Sequence, residues 1–399
     1  MRLLLVTPRD SYRTGAYLNA ANRMGCSVTV ATDADVAIPS SAIVTALDDP
    51  HDAADVILRQ LDGPYDAVVG TDGSSLPVAA AIAGRLNLRA NPVATVLIAD
   101  DKLKQRRALD GTGVPQPRFA RARDADWADY PAVVKPTDRT AGQGVIPVET
   151  AAELAGAIQR VRSLVGTDAV LVERLVSGVE VALDGLLTDG ELQVLAIFDK
   201  PDETVGLAFP ETLLVQPARI DESARQRVID VVQRAATAIG LTHGPVHAEC
   251  MIDGDDVWFL ELAPRTIGGR CSDALRPGGV GLEELVLSQA LGCPVPAPAV
   301  TEPTGVLMLP VPIEGRLDLV EGVDRARAVP GVIDVTITIG PGEHVVPLPE
   351  GDRYLGFVFA QGTTPDDVEA ALREAWACLD VRISASSSGR TDPHHPCGR

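Results

Sequence analysis

The stretch PVHAECMIDGDDVWFLELAPRTIGG, residues 245–269, reads as a β-hairpin in which two carboxylates face each other. Alternation puts His247, Glu249 and Met251 on one face of a first strand, and Phe259, Glu261 and Ala263 on one face of a second. A three-residue turn at Gly254–Asp256 sets Glu249 directly across from Glu261. Side chains paired in this way have Cβ atoms roughly 5 Å apart. Two ionised carboxylates at that separation repel unless a cation lies between them. Acidic oxygens without a His or Cys ligand cluster suit Mg²⁺, or the similar Mn²⁺, an ion that holds one or two carboxylates and fills its shell with phosphate and water. Arg265, just past the second strand, adds a cation at the same end of the hairpin.

A small phosphate-bearing molecule fits the composition better than a polymer. Lys plus Arg number 35 against 55 Asp plus Glu, a formal net charge of −20, which repels nucleic acid and anionic membranes, so neither is expected as a partner. The opening MRLLLVTPRD has a short apolar run before Pro8 and Arg9, too short for a secretory signal. No later stretch approaches the ~18 apolar residues of a spanning helix. A cytoplasmic protein is expected. Cysteines 26, 250, 271, 293, 378 and 397 form no CxxC pair, so neither a disulfide framework nor a zinc site is predicted.

Upstream of the hairpin, β-type runs at Leu3–Val6, Val28–Ala31 and Asp66–Gly70 alternate with a helical stretch around Tyr17–Met24. This predicts a Rossmann-like parallel α/β domain over residues 1–95, with the loops Arg9–Thr14 and Thr71–Ser75 at the ligand-binding ends of its strands. Arg13, in SYRTG, is placed there as a candidate substrate contact. A helix over Asp100–Gly113 and the turn sequence GTGVPQP lead into a second unit, residues 96–300. Within it, about 115–172 form a subdomain with a strand at Ala132–Lys135, a polar loop TDRTAGQGV and a helix at Ala151–Leu164. Strands follow at Val170–Glu173, Val179–Leu187 and Leu192–Phe198, and helices at Glu222–Ile239 and Leu282–Leu291. Proline-rich CPVPAPAVTEP, residues 293–303, reads as a linker to a compact α+β domain, residues 301–383, with strands at Val306–Pro312, Val332–Ile339 and Gly356–Ala360 and a helix at Asp366–Leu379. The tail, residues 384–399, is polar and Gly/Pro/Ser-rich, and is expected to be disordered; His394, His395 and Cys397 in it are read as incidental.

Lys135 ends the apolar strand PAVVKP and precedes a loop carrying Gly142 and Gly144. A lysine so placed can project its charge onto a phosphate, and a glycine-bearing loop can fold over it with free N–H groups. In VERLVSGVEVALDG, Glu173 ends a strand whose backbone through Leu175 can face a purine edge, and Glu180 can accept from ribose hydroxyls.

The order of these pieces, Lys102, then VVKP, the glycine loop, VERLVSGVE, HAE and ELAPR over residues 102–265, resembles the ATP-grasp superfamily. The segments VLMLPVPIEGRL, VPGVIDVTITIGPGEHV and RYLGFVFAQG are similar to the extra C-terminal domain of its L-amino-acid ligase branch, which includes the bacilysin-type dipeptide ligases. The resemblance implies an ATP-grasp fold, α/β and α+β, with an N-terminal Rossmann-like pre-ATP-grasp domain, a lid subdomain and a C-terminal α+β domain. It implies that Lys102 and Lys135 reach the ATP phosphates, that Gly142 and Gly144 belong to the lid loop, and that Glu173, Arg174 and Leu175 form the adenine hinge. Glu180 would accept from the ribose, Lys200 lie near the nucleotide, and Glu249 and Glu261 hold magnesium. Arg265 would steady the acyl phosphate and the tetrahedral intermediate, with His247, Gly268 and Gly269 shaping the substrate pocket. Ala263 stands where many members have an Asn ligand, which puts the second Mg²⁺ in question.

The implied activity is an ATP-dependent carboxylate–amine ligase acting on amino acids, with ATP, a small carboxylate and a small amine as its partners and a homodimer as a candidate assembly. The rival readings are an ATP-grasp carboxylase or purine-pathway ligase, and a non-catalytic nucleotide-binding regulator.

Overall fold

The computed structural model describes residues 1–33, 42–124, 127, 129–201, 212–275, 279–296 and 302–385. Of the predicted tail, residues 386–399 lie outside the described residues.

The first layer is a parallel sheet in the order Ile43–Val44, Ser27–Thr32, Arg2–Val6, Ala67–Gly70. Leu3, Leu4, Leu5 and Val6 are fully buried, as expected for a parallel strand covered on both faces. The chain moves outward on one side of Arg2–Val6 and then returns to its other side. The loops after Arg2–Val6 and Ala67–Gly70 therefore flank the switch point where ligands collect in such sheets.

An eight-stranded antiparallel sheet forms the centre, in the order Asp256–Ala263, Gly244–Asp253, Val179–Thr188, Glu191–Asp199, Leu213–Gln216, Thr304–Leu309, Gly356–Gln361, Val332–Ile337. Three strands from beyond the proline-rich linker thus extend the central sheet, because Leu213–Gln216 pairs directly with Thr304–Leu309. Leu213 and Val215 belong to the same apolar cluster as Val335, Val358 and Leu372. The strands Gly315–Glu321 and Asp380–Ser384, which lacked a sequence assignment, pair with each other beside that cluster.

A four-stranded sheet, Phe119–Arg121, Val170–Arg174, Ala132–Pro136, Ile146–Val148, makes the lid with the helix Ala151–Val165. It has its own core of Val134, Val148, Val161 and Val172. The helix predicted over Asp100–Gly113 spans only Lys102–Leu109, because the Asp101 carboxylate accepts the Lys104 N–H at 2.9 Å and caps it.

The acidic hairpin has the predicted pairing by an unpredicted route. Asp253 pairs with Asp256 and Cys250 with Phe259, so the turn is the two-residue Gly254–Asp255, one residue shorter than read from the sequence. A β-bulge between Glu249 and Cys250 then leaves Leu260 extra and restores Glu249 opposite Glu261. One expectation is corrected by this: Phe259 does not share a face with Glu261 but is fully buried in a core that includes Ala248 and Cys250. The bulge lets the aromatic ring gain roughly 2–3 kcal/mol of burial while the carboxylate stays on the open face.

Among the described residues no helix is long and apolar enough to cross a membrane, and Cys26, Cys250, Cys271, Cys293 and Cys378 are free thiols.

Candidate active site

A cleft lies between the lid and the central sheet. Lys135 reaches it from the buried strand Ala132–Pro136, with Nζ 2.6 Å from Glu173 Oε2. Burial pushes the Lys135 ammonium below the ordinary lysine range against the pull of Glu173, and nearby Arg106 adds to the lowering. Glu173 is buried against this lysine and against Arg106, whose Nε lies 2.6 Å from Oε1. These two cations outweigh its burial and hold the carboxyl below the usual range. The Glu173 side chain is therefore a post for Lys135. The N–H groups of Arg174 and Leu175 donate to the carbonyls of Arg118 and Pro131, both at 2.9 Å, so neither is open to a base. Val176 also lines the cleft, and its N–H has no protein acceptor among the described residues.

Three adjacent strands bring the acids together. Gly178, with φ of 138°, carries the chain over the Ile252 carbonyl where no side chain would fit, and delivers Glu180 beside Met251. Lys200 follows the neighbouring strand, with Nζ 2.5 Å from Glu180 Oε1 and 3.0 Å from Glu249 Oε1. On the other side, Lys102 Nζ lies 3.0 Å from Glu261 Oε2. His247 stands at ion-pair distance from two acids, 3.5 Å from Asp184 and 3.6 Å from Glu249, and despite burial these raise its pKa to about 9. Burial opposes ionisation of Glu249, but Lys200 and His247 hold its carboxyl well below the ordinary range. Burial pushes Glu180 the other way, upward, against the pull of Lys200.

Each carboxylate of the hairpin thus has a lysine of its own. Among the described residues no group of three or more His, Cys, Asp or Glu could hold an ion by itself. Two carboxylates on a cleft lined by lysines fit Mg²⁺ carried in with a phosphate ligand, where the remaining coordination comes from phosphate and water. Ala263, paired with His247, adds no side-chain oxygen.

Gly142 and Gly144, with φ of 73° and 71°, shape the loop at the mouth of the cleft. A side chain at Gly144 would reach within 2.9 Å of Leu164. The loop is tied to the C-terminal region, with the Gly144 N–H donating to the Pro349 carbonyl at 2.9 Å and Arg160 paired with Glu350 at 2.5 Å.

The cleft opens at Lys200, Glu249 and Glu261 into a chamber of about 1130 Å³. Arg265 lines it, with Nη1 donating to the Thr266 carbonyl at 3.0 Å. Asp184 accepts the Ile267 N–H at 3.0 Å and fixes the same loop from below. Gly268 opens on the chamber, since a side chain there would meet nothing closer than 4.0 Å. Gly269, with φ of 62°, is packed against the Met308 sulfur and leaves no such room.

Arg13 also borders the chamber, but its guanidinium is committed elsewhere. It is 6% exposed, paired with Asp72, and donates through Nη2 to the carbonyls of Thr266 at 3.4 Å and Ile267 at 3.2 Å. It ties the switch-point loop to the Arg265 loop. Breaking a buried pair leaves an uncompensated charge, here relieved by the 23% exposure of Asp72. Arg13→Ala should therefore cost about 3 kcal/mol of stability and lower turnover without weakening nucleotide binding. Urea unfolding with steady-state kinetics checks this; an unchanged unfolding midpoint with a raised substrate KM would return Arg13 to direct substrate contact.

Sequence reasoning missed the residues behind the site. Arg106 is fully buried, bonded to Glu173 and, through Nη2, to the Leu260 carbonyl at 2.6 Å, inside the bulge. Gln105 clamps Leu262 through both its carbonyl and its N–H, at 2.7 and 3.0 Å. Both come from KLKQRRAL, whose composition reads as an exposed basic helix and carries no signal of this role.

Residues 128–274 match the family described as ATP-grasp domain, and residues 307–384 the family described as L-amino acid ligase C-terminal domain 2. Among solved structures, the L-amino acid ligase from Bacillus licheniformis superposes with a TM-score of 0.82 at 24% identity, covering 96% of this chain and 99% of the other. N5-carboxyaminoimidazole ribonucleotide synthetase from Thermotoga maritima gives 0.72 at 16% identity, covering 96% and 100%. These likenesses establish the shared fold. An uncharacterized protein of Sinorhizobium fredii is 27% identical over 313 residues, which is 72% of this chain but 62% of the relative's length.

Proposed function

We propose that this chain, which matches an ATP-grasp domain over residues 128–274 and the L-amino acid ligase C-terminal domain 2 over residues 307–384, joins a carboxylate to an amine, both from the amino-acid class, through an acyl phosphate with release of ADP and phosphate. The observation that supports this most is that the nucleotide cleft and the larger chamber meet at Glu249, Glu261 and Lys200. A γ-phosphate in the first compartment then lies next to a carboxylate in the second.

A carboxylate is a poor electrophile because its charge repels nucleophiles, and phosphorylation gives it a leaving group. Lys135 and Lys102 offset charge on the phosphates during transfer, a task of positioning and electrostatics. Glu249 and Glu261 would hold Mg²⁺, which when bound neutralises phosphate charge and orients the transferring group. The lid loop excludes water that would hydrolyse the acyl phosphate. Arg265 stabilises the oxyanion when the amine attacks. No nucleophilic side chain is needed.

A purine-pathway carboxylase reading draws on the N5-carboxyaminoimidazole ribonucleotide synthetase fold, whereas the C-terminal match over residues 307–384 favours amino acids. Pairwise incubation of L-amino acids with ATP, following ADP release and product mass, tests the choice. Dipeptide masses support the ligase. ADP release driven by bicarbonate without any amino acid would replace it with the carboxylase.

A further inference from the structure

We infer that Arg139, on the lid loop, is a catalytic residue of the phosphoryl transfer, its guanidinium gripping the γ-phosphoryl group as that group passes from the nucleotide cleft to the substrate carboxylate. The inference rests on the ligase reading and adds a residue to its first half-reaction.

The walls of the cleft and of the chamber have Arg139, Thr140, Ala141, Lys200, Glu249 and Glu261 in common. Three of these are already engaged: Lys200 lies against Glu180 and Glu249, and Glu261 against Lys102. Arg139 is the charged residue left over at this junction. It is also distinct among the arginines that line the chamber. Arg13, Arg270 and Arg353 are each paired with an acid, and Arg265 donates to the Thr266 carbonyl. Among the described residues, the Arg139 guanidinium makes no hydrogen bond or ion pair. A dianionic phosphoryl group crossing the junction passes two carboxylates, and a planar guanidinium there matches its oxygens with paired N–H donors.

The side chain is exposed, but the backbone that carries it is pinned on both sides. The Lys102 N–H donates to the Thr137 carbonyl at 2.9 Å, and Lys102 Nζ to the Arg139 carbonyl at 2.5 Å. Downstream, the Gln143 N–H donates to the Thr140 carbonyl at 3.2 Å, and the Gly144 N–H to the Pro349 carbonyl. Because Lys102 also pairs with Glu261, one lysine ties the backbone of Arg139 to the acidic hairpin. A donor fixed in this way before reaction is preorganised for charge that develops during it. In the step, a carboxylate oxygen of the amino acid bonds to the γ-phosphorus. The bond from that phosphorus to the β,γ-bridging oxygen breaks, and ADP leaves with the electron pair. No proton moves, so the guanidinium acts by charge and position alone.

Hydroxylamine reads this half-reaction by itself, because it traps an acyl phosphate as a hydroxamate. With ATP, Mg²⁺ and an L-amino acid that the wild-type protein activates, Arg139→Ala should lower hydroxamate and amide formation together by about a hundredfold. The KM values for ATP and for the amino acid should change little. Arg139→Lys should recover part of the rate. Guanidinium chloride, added below denaturing concentration, should speed Arg139→Ala and not the wild type, a response that a merely structural role would not give. Unchanged hydroxamate formation in Arg139→Ala, or a loss that neither lysine nor added guanidinium relieves, would overturn the assignment. A raised KM with kcat intact would also overturn it, moving the guanidinium to the carboxylate of a bound amino acid or to the resting nucleotide. Wild-type protein that forms no hydroxamate with any L-amino acid would overturn the ligase reading, and this inference with it.

Discussion

Replacing Glu249 or Glu261 by Gln is expected to cut ADP formation roughly a thousandfold, equivalent to about 4 kcal/mol of transition-state stabilisation. The amide keeps the shape of the carboxylate and loses the charge that a divalent ion needs. The hairpin holds the two residues opposite each other across a bulge, so neither can take over the other's position. Glu261→Gln also takes from Lys102 its carboxylate partner, whereas Lys200 keeps Glu180 when Glu249 is changed. Titration of turnover with Mg²⁺ and with Mn²⁺ is the measurement. Near-normal ADP production by both variants at saturating metal would remove the carboxylates from the metal assignment.

Arg265→Ala should lower amide formation by about 10²–10³, with the KM for ATP nearly unchanged. The guanidinium makes one backbone contact, to Thr266, and lines the chamber rather than the inner cleft, so its loss falls on the oxyanion formed when the amine attacks. Arg265→Lys should recover part of the rate, since charge is kept and the planar fork is lost. A weakened affinity for ATP with turnover preserved would move Arg265 from the acyl group to the nucleotide.

Much of this site was legible because its chemistry depends on short motifs at strand ends. Period-2 alternation located Glu249 and Glu261, and the strand-terminal position of Lys135 predicted its exposure to the cleft. The hairpin shows how local the information is. A turn one residue shorter than expected and one extra residue at Leu260 cancel, so the carboxylates pair as read while Phe259 turns to the other face. Arg13 was recognised as near the chamber, but a lone loop arginine carries no mark of whether its partner is a substrate or Asp72 and the Ile267 carbonyl. The N–H groups of Arg174 and Leu175 are occupied by the carbonyls of Arg118 and Pro131, partners distant in the chain that the segment's own sequence could not show. Arg106 was illegible for the opposite reason: its helix is polar by composition, and only the tertiary fold buries that side chain against Glu173. The continuity of the central sheet past the linker rests on pairing between residues about ninety apart, which no local pattern encodes.

The central claim is that the carboxylate is activated by the γ-phosphate of ATP. Substrate carboxylate labelled with oxygen-18 tests it directly. Transfer to the γ-phosphorus, directed by Lys135 and the carboxylate pair, predicts ADP as the nucleotide product and one labelled oxygen in the inorganic phosphate released with the amide. Label in AMP, with pyrophosphate as the by-product, would contradict the account even if an amide formed.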